Sequence, residues 1–117
     1  MNILVTGSNG QLGSELKDLE VDFKDFRFFF MDLPELNICN SSRLNVFIKD
    51  NKIEAVINCA AYTAVDKAEK DIEMAKQVNS IGVANLISAL AKVNGKLIHI
   101  STDYVFDGNN FLPYQEL

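Results

Sequence analysis

Three glycines spaced three residues apart follow the first apolar run of the chain. The run Asn2–Thr6 is short, rich in β-branched and leucine residues and bounded by glycine, which predicts a buried strand. Gly7 permits a tight turn, Gly10 lets the backbone come close to a ligand, and Gly13 lets the following helix pack closely. A strand, a glycine turn and a helix in this order predict a site for the pyrophosphate of a dinucleotide at the helix N-terminus.

An acidic residue follows the second predicted strand. Asp32 lies about 20 residues after the glycines, where a carboxylate accepts hydrogen bonds from an adenosine ribose. The alternative is that Asp32 only caps the turn before Pro34. A carboxylate at this position repels the 2′-phosphate of NADP, and the turn residues Ser8, Asn9 and Gln11 supply no cation to offset it. The predicted cofactor is therefore NADH or NADPH, with NADH favoured.

Apolar runs alternate with helical patterns along the whole chain. Strands are predicted at residues 2–6, 27–31, 36–38, 54–59 and 96–100. Helices are predicted from about residue 10 with Leu12, Leu16 and Leu19 facing inward, from the caps at 40–42, and from a capping box at 63–66 to about residue 93. The expected fold class is α/β: a Rossmann-type parallel sheet of about five strands with helices on both faces. Phe26–Phe30 and His99 are expected in its core.

Composition excludes several classes of partner. The 117 residues carry a net charge of −5 with a pI near 4.7, and the basic patch of a nucleic-acid-binding protein is absent. Apolar runs are too short for a signal peptide or for a membrane-spanning helix. Cys39 and Cys59 have neither metal-ligand spacing nor a disulfide framework. A cytoplasmic protein without nucleic-acid or membrane partners is expected.

Two segments after predicted strands add polar and small side chains. Asn58 is placed to brace a turn, and the small residues Cys59, Ala60 and Ala61 leave room for a flat ligand. Tyr62 and Thr63 are expected to line the ribose or nicotinamide pocket. We interpret Cys59 as a small buried residue and not as a nucleophile, because the sequence places no base beside it. The last predicted strand opens into Ser101–Gly108, as the carboxyl end of a parallel strand does at a ligand crevice.

Three stretches together resemble a known family. They are Thr6-Gly7-x-x-Gly10-x-x-Gly13, Asn58-Cys-Ala-Ala-Tyr-Thr-Ala-Val-Asp-Lys-Ala-Glu69 and Ser101-Thr-Asp-Tyr-Val-Phe-Asp-Gly108. The chain resembles the extended short-chain dehydrogenases/reductases, and within them the dTDP-4-dehydrorhamnose reductases, from Met1 to Leu117. This resemblance implies NAD(P)H-dependent reduction of the 4-keto group of dTDP-4-dehydro-L-rhamnose to dTDP-L-rhamnose, for bacterial surface polysaccharides.

The resemblance also implies residue roles. Gly10, Gln11 and Leu12 would contact the pyrophosphate, and Asp32 the adenosine ribose. Cofactor contacts would further come from Asn37 and Ile38 beside the adenine, and from Ala61, Tyr62, Thr63, Ile100 and Ser101. Thr102 would hydrogen-bond the reacting oxygen of the sugar, while Asp103 and Tyr104 would hold the substrate. Many relatives carry Asp where this chain has Asn37.

The family's catalytic pair is a Tyr-x-x-x-Lys motif, in which the tyrosine gives a proton to the keto oxygen. Tyr62 is followed four residues on by Asp66, Tyr104 by Gly108, and Tyr114 lies too near Leu117. We therefore expect residues 1–117 to be the N-terminal part of a dinucleotide-binding Rossmann domain, without the substrate domain and inactive alone. Such a part should expose apolar surface. A homodimer is possible for the full-length protein. No metal-ligand cluster is visible, and metal dependence stays open.

Two alternatives remain open from the sequence. One is a non-catalytic nucleotide-binding module that resembles the regulatory subunit of methionine adenosyltransferase. The other is a different nucleotide-sugar reductase or epimerase with the same cofactor half. Residues after 117 would separate these alternatives, because substrate identity depends on them.

Overall fold

The structure is a computed structural model that describes residues 1–60 and 77–100. Strands and helices alternate along these residues. The strands are β1 (Asn2–Thr6), β2 (Arg27–Met31), β3 (Ala55–Asn58) and β4 (Lys96–His99). The helices are α1 (Gln11–Leu19), α2 (Ser41–Asp50) and α3 (Gly82–Ala91), with a 3₁₀ turn at Glu20–Asp22 and a π-helical segment at Gln77–Ile81.

The strands form one parallel sheet in the order β2-β1-β3-β4. The predicted Rossmann-type architecture is therefore confirmed, but the expected count of about five strands is wrong: the described residues contain four. The segment predicted as a short strand, residues 36–38, lies in turns. Leu36 and Ile38 are buried, and the side-chain amide of Asn85 donates to the Ile38 carbonyl at 2.9 Å. Core packing explains its apolar pattern without strand pairing.

One face of the sheet packs against α2 and α3. Leu4 of β1 and Val56 of β3 are in register and contribute to a core that includes Leu44, Ile48 and Leu86. Each of these side chains is almost completely excluded from solvent. Burying an aliphatic side chain of this size contributes roughly 1.5–3 kcal/mol relative to exposure. The ring of Phe29 joins this side through an edge-on contact with Phe47, at a centroid distance of 6.0 Å.

The other face of the sheet carries α1. The ammonium of Lys17 lies 5.9 Å from the ring centre of Phe30, which is in register with Val5 on this face. Leu12 and Leu19 of α1 are 42% and 47% exposed, so the predicted inward face of this helix is only partly buried. The buried residue of α1 is Gly13, which packs against the turn after β1. Exposed apolar side chains elsewhere include Val21, Leu33 and Ile87.

Two residues assigned to the core lie outside it. His99 is exposed, because β4 is an edge strand among the described residues. Phe26 is exposed as well and stacks on Phe23 in the connection before β2, at a centroid distance of 6.1 Å. Phe28, Phe29 and Phe30 are half-buried. The aromatic run therefore covers the edge of the sheet and does not fill its centre.

The helix ends agree with the sequence signals. The Asn40 side chain accepts a hydrogen bond from the Arg43 N–H at 3.2 Å and caps α2. Helix α3 ends at Ala91, two residues before the predicted end, with Asn94 in the left-handed region at φ 59°. The Gly95 N–H then donates to the Leu90 carbonyl at 2.9 Å. Residues 61–76, which include the predicted capping box, lie outside the described part. No helix of the described part is long and apolar enough to cross a membrane.

Helix α2 ends in the same way, with a lysine where glycine is preferred. Lys52 has φ 51°, and the Ile53 N–H donates to the Ile48 carbonyl at 3.0 Å. A non-glycine residue in this conformation is strained. We expect Lys52→Gly to raise the free energy of unfolding by about 0.5–1 kcal/mol in urea denaturation. Lys49→Gly, inside α2, is the matched control and should lower it by about 1 kcal/mol. A loss of stability in Lys52→Gly would contradict the assignment.

Candidate functional site

A cleft of about 380 Å³ opens at the carboxyl ends of the strands. It lies between the glycine turn after β1, the segment after β2 and the end of β3. Its lining is Thr6, Gly7, Gly10, Asp32, Leu33, Leu36, Asn37, Ile38, Cys59, Ala60 and Val78. Ligands of parallel α/β sheets bind at this edge, where the crossovers from neighbouring strands diverge. Here β1 is that strand, because its crossover leads to β2 and the chain then returns to β3 on the other side.

The glycine turn requires glycine for two separate reasons. Gly7 adopts φ 65°, and a Cβ there would lie 2.5 Å from the backbone nitrogen of Ala60 at the end of β3. A Cβ on Gly13 would lie 2.6 Å from the Gly7 carbonyl oxygen and from Ser8 Cα. The close packing predicted for Gly13 is therefore made against the turn itself. These contacts hold α1, the turn and β3 together at one edge.

Gly10 has a different environment, suited to a ligand. It occupies the N-cap of α1 without a side-chain cap, and the first N–H groups of an α-helix have no acceptor within the helix. A Cβ on Gly10 would approach only the Gly7 carbonyl, at 3.3 Å, so protein atoms leave that side open. Gln11 and Leu12 follow on the exposed first turn. This arrangement fits a phosphate group, which such N–H groups and the helix dipole attract.

Asp32 holds the turn and faces the cleft. One carboxylate oxygen accepts the Asn9 N–H at 2.9 Å, and the other accepts the Leu33 N–H at 2.8 Å. The contact with Leu33 is the turn-capping role considered above. Each carboxylate oxygen has a second acceptor position, and the side chain lines the cleft. Turn capping and hydrogen bonding to a ribose are therefore compatible.

A buried amide joins three strand ends below the cleft. Asn58 Oδ1 accepts the Thr6 hydroxyl at 2.6 Å and the Ala60 N–H at 3.2 Å. Its Nδ2 lies 3.1 Å from His99 Nδ1. Because both bonds to Oδ1 come from donors, the amide nitrogen must donate to His99, whose Nδ1 is then the acceptor. The predicted role of Asn58 in bracing the turn is confirmed and extends to β4.

The predicted site residues fall into three groups. The first group lines the cleft: Gly7, Gly10, Asp32, Asn37 and Ile38. The second group does not line the cleft: Gln11, Leu12 and Gly13 lie in α1, and Ile100 directly follows β4. The third group lies outside the described residues: Ala61, Tyr62, Thr63, Ser101, Thr102, Asp103 and Tyr104. The structure thus brings together residues predicted to contact the adenosine and the pyrophosphate, and the cofactor and sugar roles alike stay predictions.

Sequence reasoning missed two residues of the cleft and one contact of the glycine turn. Leu33 and Leu36 line the cleft, and a strand interpretation of residues 36–38 concealed the position of Leu36 in a loop. Lys17 was missed because its position, eight residues along the chain from Asn9, is remote from the turn. Its ammonium donates to Asn9 Oδ1 at 3.1 Å. The signal was available in principle, because long helical side chains point toward the helix N-terminus.

The cysteine in the cleft has the character of a packing residue. Burial raises the pKa of the Cys59 thiol, which keeps it protonated and poorly nucleophilic at neutral pH. Burial also raises the pKa of the Cys39 thiol. Among residues 1–60 and 77–100, no group of three or more His, Cys, Asp or Glu side chains is arranged to hold a metal ion. The described cleft instead offers backbone N–H groups, a carboxylate and apolar walls.

Comparisons with known proteins agree on one family. The sequence profile of the RmlD substrate binding domain matches residues 1–117. A dTDP-4-dehydrorhamnose reductase of Aggregatibacter actinomycetemcomitans is 41% identical over 114 residues, which is 97% of this chain and 39% of that protein. The Escherichia coli dTDP-4-dehydrorhamnose reductase is 35% identical over 120 residues, or 99% of this chain and 40% of that protein. The chain thus spans about two-fifths of the length of these relatives.

Solved structures show the same relationship. A dTDP-4-dehydrorhamnose reductase from Clostridium acetobutylicum superposes with a TM-score of 0.89 at 43% identity, covering 97% of this chain and 40% of that one. The Bacillus anthracis dTDP-4-dehydrorhamnose reductase, solved in complex with NADP, has a TM-score of 0.85 at 38% identity, covering 93% and 39%. A UDP-glucose 4-epimerase solved with NAD has a TM-score of 0.80 at 21% identity and shares the fold.

Removal of the buried side-chain amide of Asn58 is predicted to cause a large loss of stability. Asn58→Ala leaves the Ala60 N–H and the Thr6 hydroxyl without their buried acceptor, so we expect the free energy of unfolding to fall by about 2–3 kcal/mol. His99→Ala removes an exposed partner of the same amide and should cost about 1 kcal/mol or less. Urea denaturation followed by circular dichroism measures both. Equal losses in the two variants would show that Asn58 is not the centre of this network.

Proposed function

The chain belongs to the family of the RmlD substrate binding domain, and on that premise we propose that it is the cofactor-binding part of an NAD(P)H-dependent reductase of a nucleotide-linked sugar. The observation that carries this proposal is the cleft in which Gly10, at the N-terminus of α1, and Asp32 converge at the carboxyl edge of a parallel sheet. In this proposal residues 1–117 are the N-terminal part of a dinucleotide-binding Rossmann domain.

In this proposal, different described residues bind different parts of the cofactor. The N–H groups at the start of α1 bind the pyrophosphate beside Gly10. The Asp32 carboxylate, held by the turn, accepts a hydrogen bond from the adenosine ribose. Asn37 and Ile38 flank the adenine; the Asn37 side chain accepts the Cys39 N–H at 2.9 Å, which keeps it oriented at the rim. The apolar side chains of Leu36 and Val78 line the cleft and exclude water from the bases of the cofactor.

The substrate we propose is dTDP-4-dehydro-L-rhamnose, reduced at its 4-keto group to dTDP-L-rhamnose. The reduced nicotinamide supplies a hydride when bound. Thr102 hydrogen-bonds the reacting oxygen of the sugar, with Asp103 and Tyr104 holding the substrate, and Ala61, Tyr62, Thr63, Ile100 and Ser101 complete the cofactor pocket. The resemblance assigns proton donation to a Tyr-x-x-x-Lys pair, and residues 1–117 contain no such pair. We therefore limit this chain to cofactor binding and substrate positioning.

The names of the relatives support this choice of substrate. The A. actinomycetemcomitans and E. coli proteins are dTDP-4-dehydrorhamnose reductases, and sequence identity of this order extends over nearly all of this chain. Likeness to the UDP-glucose 4-epimerase, at 21% identity, supports the fold alone. Reduction of dTDP-4-dehydro-L-rhamnose is therefore preferred to epimerisation.

Cofactor binding is the first test. We expect this chain to shift or quench NADH fluorescence on titration. Gly10→Val should weaken binding at least tenfold, because its side chain fills the open space at the N-cap. Asp32→Ala should weaken it to a similar extent, a loss of about 1.4 kcal/mol, with exposed Asp50→Ala as the matched carboxylate control. Circular dichroism verifies folding. Binding unchanged by Gly10→Val would exclude the proposed pose.

Turnover is tested in the protein expressed from its complete gene. We expect oxidation of NADPH or NADH that depends on dTDP-4-dehydro-L-rhamnose, and loss of it in Thr102→Val with cofactor binding retained. Cofactor binding without any sugar-dependent oxidation would instead favour the non-catalytic nucleotide-binding module.

The reactivity of the Cys59 thiol can show whether the cofactor binds in the described cleft. In a Cys39→Ser background, Cys59 is the remaining thiol, and iodoacetamide should modify it slowly at pH 7 and faster as the pH rises, because burial raises its pKa. We expect saturating NADH to slow this reaction several-fold, since Cys59 lines the cleft. Mass spectrometry follows the reaction, and the Cys59→Ser variant, which retains Cys39, is the matched control. Cys59 protection is expected to vanish in Gly10→Val.

A further inference from the structure

We propose that Lys17 is the residue that admits the 2′-phosphate of NADPH to this site. This inference rests on the proposed function and concerns which dinucleotide the cleft accepts. The sequence alone favoured NADH, because the glycine turn contains no cation beside Asp32. The structure places a cation there from elsewhere in the chain, on the last turn of α1.

Two contacts define the position of the Lys17 ammonium, and a third links its partner Asn9 to Asp32. It donates to Asn9 Oδ1 at 3.1 Å. The N–H of the same Asn9 donates to Asp32 Oδ2 at 2.9 Å, so Lys17 and Asp32 bind one turn residue from two sides. The ammonium also lies 5.9 Å from the ring centre of Phe30, within the range of a cation–π contact. An amide and an aromatic ring thus hold the charge on the turn residue that also binds Asp32, whose side chain lines the cleft.

The charge of Lys17 is available to an anion. Among residues 1–60 and 77–100, no carboxylate lies within ion-pair distance of this ammonium, and its two partners are a neutral amide and an aromatic ring. An ammonium has three N–H donors, and Asn9 takes one of them. A 2′-phosphate could therefore bind Lys17 without first displacing an ion pair.

Asp32 opposes the binding of a 2′-phosphate less strongly than an isolated carboxylate would. Both of its oxygens accept backbone N–H groups, from Asn9 and from Leu33, and the positive ends of these two dipoles offset part of its field. Dinucleotide sites that accept a 2′-phosphate place a cationic side chain near the ribose. Lys17 supplies this cation here, while Asp32 still accepts a ribose hydroxyl from NADH.

A second cation near the rim makes a rival candidate. Arg43, at the start of α2, donates from Nη2 to the Glu35 carbonyl at 3.2 Å. That contact places it on the side of the cleft formed by residues 35–40, away from the glycine turn. Its backbone N–H is bonded to Asn40, which fixes the first turn of α2 there. Arg43 therefore serves as the matched control for a cation at the opposite rim.

The experiment compares NADPH and NADH binding in four proteins: the unaltered chain, Lys17→Gln, Lys17→Arg and Arg43→Gln. Fluorescence titrations are run at low and high salt. We expect Lys17→Gln to weaken NADPH binding about tenfold while NADH binding changes less than twofold, because only the 2′-phosphate contacts the ammonium. Lys17→Arg should retain NADPH binding, and Arg43→Gln should change neither. The preference for NADPH that Lys17 provides should decrease at high salt, because salt screens the charge of the ammonium.

Each outcome separates this inference from the proposed function. If the unaltered chain binds neither dinucleotide, the proposed function fails. If it binds both and Lys17→Gln leaves their ratio unchanged, only the role of Lys17 is overturned. A fall in both affinities would mean that Lys17 supports the turn through Asn9 and does not select the cofactor. Selective loss of NADPH in Arg43→Gln would transfer the role to that residue and overturn the inference.

Discussion

The close approach of the turn after β1 to the end of β3 is the constraint on which the site depends. At Gly7 the chain reverses in the left-handed region, with the Ala60 nitrogen where a Cβ would otherwise lie. A larger residue would force apart the two central strands or move α1. Because Gly13 presses against the same turn, the position of the helix N-terminus is set by these backbone contacts. The phosphate-binding geometry is thus a consequence of packing between backbones.

Polar contacts also hold together the edge of the sheet at which the glycine contacts lie. Asn58 is fully buried, yet its amide is satisfied by Thr6, Ala60 and His99, so the ends of β1, β3 and β4 are held in one arrangement. A buried polar group without partners would be costly, whereas a satisfied one favours a single register. The Asp32 carboxylate likewise joins the glycine turn to the start of the segment after β2. The floor and rim of the cleft are therefore rigid before any ligand binds, which lowers the entropic cost of binding.

Electrostatics at the adenosine end are more balanced than the acidic composition suggests. The chain as a whole is negative, and Asp32 places a further negative charge at the ribose. Lys17 and the N-terminus of α1 act in the opposite direction within the same small region. A site built this way can discriminate between NADH and NADPH by a few contacts, since a single charge-assisted hydrogen bond is worth roughly 1.5–3 kcal/mol. In the proposed function, selectivity between the two dinucleotides is therefore decided at the adenosine end of the cleft.

Local patterns in the sequence determined the order of elements, the glycine turn, the cap at Asn40 and the acidic residue after β2, because each depends on residues that are neighbours along the chain. The same reasoning misplaced residues 36–38, His99 and the inner face of α1. Burial at those positions depends on which elements pack beside them, and an apolar pattern does not distinguish a buried loop from a strand. Only the tertiary structure joined Thr6, Asn58 and His99. These contacts link residues 41 and 52 positions apart, and they form only when the parallel crossovers bring the strand ends to one edge.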